Sequence, residues 1–308
     1  MENKIKIYTQ ITPEVPMLYH YTSQIGILGL INNKKLWFTN IYYMNDSTEY
    51  SYSLKVIKET LHRLYGIGKD LSMFFPNRYA IEPIFSFSLS EKGDSLSQWR
   101  GYCPNGGYSI SFFDFDNQDQ VNLMMKTHNM YIGKCVYNPG IIDEFVKEVI
   151  VELSPENFVI EREAALRQGS LGKWLGQCYT KILSNTMKYA PLIKHPSFEE
   201  EQEWRMVANY YVNSLIIPTR ANISENYTFK PYHIHIPAED LDLKFRPGKN
   251  FLIPYLEFQI SNDETPIFIS EMIVGPTPNS ALAVLACKAL IKDKKERVLS
   301  SSIPYRNW

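Results

Sequence analysis

Cysteine is scarce and scattered. The 308 residues hold four, Cys103, Cys135, Cys178 and Cys287, and no two form a Cys-x-x-Cys pair. Paired-cysteine zinc sites and dithiol redox chemistry are therefore without support. Well-separated free thiols suit a reducing cytoplasm, which is the expected location. No apolar run reaches the ~18 residues that a membrane span requires, so no membrane association is expected. The opening residues, Met1-Glu2-Asn3-Lys4-Ile5-Lys6, carry no apolar signal region. Positive charge is not in surplus either: 32 Lys and Arg face 33 Asp and Glu. That balance argues against non-specific binding to nucleic acid, while a locally basic groove stays open. There is no Gly-x-Gly-x-x-Gly, no phosphate-loop lysine motif and no nucleophile elbow. His233-x-His235 has same-face strand spacing, but no third ligand accompanies it and no metal is expected.

Aromatic residues, in contrast, are plentiful: 21 Tyr and 16 Phe can build a sizeable core. Leu18–Thr22 and Lys35–Thr39 read as short strands, with a helix between them opened by Ser23 as cap. Asn45-Asp46-Ser47-Thr48-Glu49 has capping-box spacing ahead of a helix carrying Leu54, Ile57, Leu61 and Leu64. Strands are read at Pro83–Ser90, Tyr108–Phe113 and Tyr131–Tyr137. A helical stretch follows over about 141–190. The second half returns to strands at Glu203–Val212, Tyr232–Ile236, Phe251–Ile260 and Ile269–Val274, then a helix over Ala281–Lys292. Strands and helices do not alternate regularly, which argues against a doubly wound parallel sheet. The expectation is one α+β domain over 1–308, with a mixed, mostly antiparallel sheet and a helical insertion at about 141–190.

The densest chemistry lies in Glu199-Glu200-Glu201-Gln202-Glu203-Trp204-Arg205. Strand alternation puts Glu203, Arg205 and Val207 on one face, and Trp204, Met206 and Ala208 on the other, which reads as core. Glu203 is then either half of an exposed ion pair with Arg205 or a carboxylate held rigidly in a site. Ser86, Ser88 and Ser90 share a strand face that can hydrogen-bond a ribose or amide, or simply be solvated. In Asp94–Tyr102, Arg100 can pair with a pyrophosphate, and Trp99 or Tyr102 can stack on a flat ring. For Trp99 the core is the favoured reading. His20, between Tyr19 and Tyr21, can hold a ligand hydroxyl or be a satisfied core histidine. Asn45 can brace a site wall or cap a helix.

An ordered set of segments spans nearly the whole chain: Tyr19-His20-Tyr21, Leu36-Trp37-Phe38-Thr39, Met44-Asn45-Asp46 with Glu49, Phe87-Ser88, and Asp94 with Trp99 and Tyr102. It continues through Gly107 with Phe112, Glu201-x-Glu203-Trp204-Arg205 and Glu271-Met272-Ile273-Val274-Gly275. Together they resemble a family known as domain of unknown function 2971. One departure is His20, where members often carry a lysine. That family in turn resembles ADP-ribosyltransferases, which implies a split-sheet fold of that type and NAD as substrate.

The resemblance implies site residues as well. Glu203 would be the late-strand carboxylate and His20 the early-strand ribose contact. Ser86 or Ser88 would be the middle-strand hydroxyl, and Glu201 the first acid of a Glu-x-Glu pair that orients an acceptor. Tyr21, Asn45 and Tyr102 would complete the NAD site, with Arg100 or Arg205 facing pyrophosphate. The expected activity is cleavage of the nicotinamide–ribose bond, which builds positive charge on the ribose that a fixed carboxylate stabilises. The acceptor would be protein, nucleic acid or water. The context would be a bacterial toxin or anti-phage effector, with an antitoxin or immunity partner. The competing expectations are a non-catalytic nucleotide- or protein-binding module on the same fold, and a hydrolase of another nucleoside derivative.

Overall fold

The computed structural model describes residues 5–44, 49–67, 83–112, 118–210, 241–248, 250–261, 267–292 and 297–304. Asn45 and Asp46, the expected strand Tyr232–Ile236 and the His233/His235 pair lie outside the described residues.

The strands form two sheets. The larger has seven, in the order β1 (Ile7–Tyr8), β6 (Tyr131–Lys134), β7 (Glu203–Asn209), β4 (Ile84–Ser90), β3 (Lys35–Asn40), β9 (Leu252–Gln259) and β8 (Lys244–Pro247). Every neighbour pair in it is antiparallel. The smaller sheet runs β11 (Val298–Ser300), β10 (Glu271–Val274), β5 (Tyr108–Ser111), β2 (His20–Thr22), with one parallel pair, β10 with β11. The chain is therefore α+β with mostly antiparallel sheets. The sheets are joined by backbone pairing at Tyr19, just before β2, which exchanges both backbone hydrogen bonds with Ser90 at the end of β4, each 2.8 Å. β3 pairs with β4 only at Thr39 and Asn40, opposite Ser86 and Phe85. Along the edge away from β7, β4 is thus met by β3 at one end and by Tyr19 at the other.

Alternation along β4 and β7 sorts the core into two layers. Phe85, Phe87, Leu89, Trp204, Met206 and Ala208 join a cluster that also takes Phe38, Leu256 and Phe258 from the large sheet and Ile110, Met272 and Val274 from the small one. Helices α1 (Gln24–Asn33), α4 (Asp119–Thr127) and α8 (Ser280–Leu290) close it with Ile27, Leu30, Val121, Met124 and Cys287. Each fully buried Leu or Phe here contributes about 1.5–3 kcal/mol. The face of β4 and β7 carrying Ile84 and Val207 packs instead against α2 (Glu49–Tyr65) and the helices that follow β6. Those are α5 (Ile142–Phe145), a π-helical turn at Val146–Val151, α6 (Pro155–Arg167) and α7 (Leu171–Tyr189). Tyr50, Ile57 and Leu61 of α2 meet Phe145, Ile150 and Met187 there.

Local signals explain the element ends. Ser23 caps α1 by accepting the Gly26 N–H at 3.1 Å, and Lys34 ends it in the left-handed region, φ 53°. Gly107 opens β5 where a Cβ would lie 2.5 Å from the Thr22 carbonyl oxygen, so only glycine fits the approach of β2.

Candidate functional site

The carboxylate of Glu203 is buried in an ion cluster built by four separate elements. β7 supplies Glu203 and Arg205, α2 supplies Glu49, and the 3₁₀ turn Pro196–Glu201 ends in Glu201. Lys194 comes from the segment that follows α7, anchored by backbone bonds to Val136. Glu203, Arg205 and Lys194 are 3%, 1% and 3% exposed. Arg205 gives Nε to Glu203 Oε1 at 3.0 Å, Nη2 to Glu49 Oε2 at 2.5 Å and Nη1 to the Pro191 carbonyl at 2.7 Å. Lys194 Nζ reaches Glu49, Glu201 and Glu203 at 2.9, 2.5 and 2.7 Å. The Glu203 N–H donates to the Tyr137 hydroxyl at 2.8 Å, and the Cys135 thiol lies 3.8 Å from Glu203 Oε2.

The electrostatics follow from this packing. Burial acts to raise the Glu203 pKa, but Arg205 and Lys194 overcome it and hold the carboxyl down at about 2. Burial raises Glu201, Lys194 opposes, and the nearby charges of Glu203 and Glu49 help keep it above the ordinary carboxylate value. Burial and then the same carboxylates raise the phenol of Tyr102, the last residue of α3 (Leu96–Tyr102). Three carboxylates share two cations, so the cluster carries one surplus negative charge when all are ionised. Glu201, 18% exposed, is its member nearest solvent, and Tyr102 is half-buried beside it. The Glu203–Arg205 pair therefore exists, but deep in the protein, where the sequence alone allowed a surface pair. Glu49 turns its side chain to Arg205 and Lys194, although its spacing suits a capping box.

The other expected residues are distributed as follows. Ser88 is half-exposed and stands directly opposite Arg205 on β7; Ser86 stands opposite Val207 and Thr39, with its hydroxyl buried and unbonded. Ser90 is spent on the Glu201 carbonyl at 2.7 Å. His20 opens β2. Its ring stacks on Phe87, 4.2 Å between centroids, whose side chain leaves β4 on the face away from Ser88, Arg205 and Glu203. The Tyr21 hydroxyl is fully used, donating to the Lys92 carbonyl at 2.7 Å and accepting from the Ser95 N–H at 3.0 Å. Trp99 is core, its indole N–H bonded to Asp94 at 2.7 Å, and Asp94 also holds Ser301 and Ser302 of the chain's last described segment. Arg100 is exposed on α3. Arg205 is too fully engaged to face a pyrophosphate. Lys194 and Arg246 are chemically important side chains that sequence patterns did not single out, and Glu49 was read there only as a capping-box acid and a matching family position. Only the acid run next to Lys194 hinted at the first.

His20 carries its own test. Its Nδ1 lies 3.0 Å from the Ser88 carbonyl, which can only accept, so the proton sits on Nδ1. Burial lowers its pKa to about 4 against the bond to Ser88, with the positive charge of Arg246 adding to the fall. An unfolded His20 takes a proton near pH 6.5, whereas the folded one refuses it until about pH 4. Stability from this group is therefore full above pH 6.5 and lost as pH falls to 4, by up to about 3 kcal/mol. Melting temperatures from pH 7 to pH 4 should fall less steeply for His20→Gln than for the parent; equal slopes would remove the assignment.

Residues 98–206 match the model of DUF2971, a protein family of unknown function. The match supports the family resemblance over α3 to the middle of β7, and so includes Tyr102, Lys194, Glu201, Glu203 and Arg205. No curated protein and no solved structure matches the chain. No helix among the described residues is long and apolar enough to cross a membrane, and no group of three or more His, Cys, Asp or Glu there is placed to hold a metal ion.

Proposed function

We propose that the chain is an NAD-using enzyme of ADP-ribosyltransferase-like character, with its reacting site where the ion cluster meets solvent. The observation that carries this reading is the surplus carboxylate, with Glu201 as the half-open member beside Tyr102. In the reaction the bond between ribose C1′ and the nicotinamide nitrogen breaks, and its electron pair leaves with neutral nicotinamide. Positive charge is left on the ribose, and a site with net negative charge stabilises it. Water or another nucleophile then bonds to C1′ and gives its proton to Glu201, whose raised pKa suits it as a base. Substrate contact is assigned to Glu201 rather than Glu203 because both Glu203 oxygens already bond Arg205 and Lys194. Glu203 is then a positioning residue that fixes Lys194, and through it Glu201.

Incubating the purified chain with NAD labelled in the nicotinamide ring tests the reading directly. Release of free nicotinamide above the spontaneous rate is expected; none at any protein concentration ends it. A second reading, a non-catalytic binding module, draws on the same saturation of Glu203, since a fully bonded ion network also serves as a purely structural brace. That module would bind without releasing nicotinamide.

A further inference from the structure

Among the described residues, Arg246 is a cation without an anionic partner. It lies half-buried on β8, and Nη2 donates to Thr39 Oγ1 at 3.2 Å. The other charges around it are matched: Lys35 with Glu257 at 3.0 Å and Lys244 with Asp242 at 2.8 Å. Among the described residues no carboxylate pairs with Arg246. A partly buried guanidinium left this way costs stability, and burial indeed depresses its pKa. Polar and aromatic side chains from neighbouring strands share its sheet face. Thr39 stands opposite both Ser86 on β4 and Tyr255 on β9, so all three share one face of the sheet. Ser86 is 2% exposed and its hydroxyl has no bonding partner. Trp37, two residues along β3 on the same face, packs on Tyr255 with 4.6 Å between ring centroids and stays partly open to solvent.

We infer that this face binds the phosphate of a nucleotide, with Arg246 on the phosphate, Thr39 and Ser86 supplying hydroxyls, and Trp37 offering a flat surface to the base. A guanidinium matches the oxygen geometry of a phosphate, and an indole face stacks on a base without reading its identity. No sequence motif announces the site, because its parts come from β3, β4, β8 and β9.

The test is calorimetric titration of the full chain with ADP, adenosine and inorganic pyrophosphate. ADP should bind the parent, and adenosine far more weakly. Arg246→Gln should weaken ADP by about 10- to 100-fold, the range for a hydrogen bond to a charged group. Arg246→Lys should fall between, since it keeps the charge and loses the fork. Lys244→Gln, whose partner is Asp242, should leave ADP within about 2-fold. Absence of ADP binding by the parent at millimolar concentration overturns the inference. So does an unchanged affinity in a folded Arg246→Gln, or an equal loss in Lys244→Gln. The readout is independent of NAD cleavage. ADP binding without nicotinamide release leaves this site standing and removes the enzyme; nicotinamide release without Arg246-dependent ADP binding does the reverse.

Discussion

Arg205→Met is expected to destabilise the protein by about 3–5 kcal/mol, the usual cost of removing one partner from a buried ion network. The guanidinium bonds Glu203, Glu49 and the Pro191 carbonyl, with its side chain 1% exposed. Its loss leaves three carboxylates, two of them fully buried, sharing Lys194, and takes a donor from the Pro191 carbonyl. Methionine fills much of the volume, so the cost is electrostatic rather than a cavity. Domain stabilities are about 5–15 kcal/mol, so a large fraction would go. Chemical denaturation of Arg205→Met measures it. Glu49→Gln added to Arg205→Met should return part of the loss, because it removes one unmatched charge. A change of about 1 kcal/mol or less in Arg205→Met would mean that the pair behaves as a surface ion pair does.

The acid side of the same cluster has a definite sign. Glu203 is held at about 2 when folded, below its ordinary 4.5. It therefore contributes stability that is present above pH 4.5 and lost as pH falls towards 2. Glu201, raised when folded, works oppositely: the unfolded chain ionises first, so stability declines as pH rises past 4.5. The two effects offset each other in part around pH 4–5.

Much of the sheet could be read from the sequence because alternation is a local property. Phe85-Ser86-Phe87-Ser88-Leu89 states its two faces outright, and so does Trp204-Arg205-Met206. The sequence could not say what covers the polar face. Arg205 meets a glutamate 156 residues away, and no local pattern encodes that distance. A face bearing Glu and Arg reads as solvated until a helix is known to close over it. β1 and β11, of two and three residues, are too short for any periodicity, and their neighbours alone make them strands. α3 is hard to read because Asp94–Tyr102 mixes acid, hydroxyl, amide, indole and guanidinium; three conspicuous residues of that stretch, Asp94, Gln98 and Trp99, are committed to packing or to holding Ser301. Arg246 sits in a four-residue edge strand ended by Pro247, where nothing in the sequence sets it apart from any surface arginine.

Glu201→Gln is the substitution expected to affect turnover most. Glutamine keeps the size of the side chain and a bond to Lys194, and removes the charge and the ability to take a proton. If Glu201 faces the ribose and accepts the nucleophile's proton, kcat for nicotinamide release should fall by about 10²–10³. KM for NAD should change little, since the lost interaction is made mainly in the transition state. Stability should hold or rise slightly, because Glu201 is the surplus carboxylate and its raised pKa marks its charge as unfavourable in the fold. Glu203→Gln should behave differently. It strips charge from a residue 3% exposed that bonds two cations, so melting temperature and turnover should fall together. At a temperature where the Glu203→Gln protein is fully folded, the remaining kinetic deficit measures how much Glu203 contributes by placing Lys194 and Glu201. Full activity in Glu201→Gln, with nicotinamide release confirmed for the parent, would move the chemistry away from this cluster and leave the buried ions as a brace between α2 and β7.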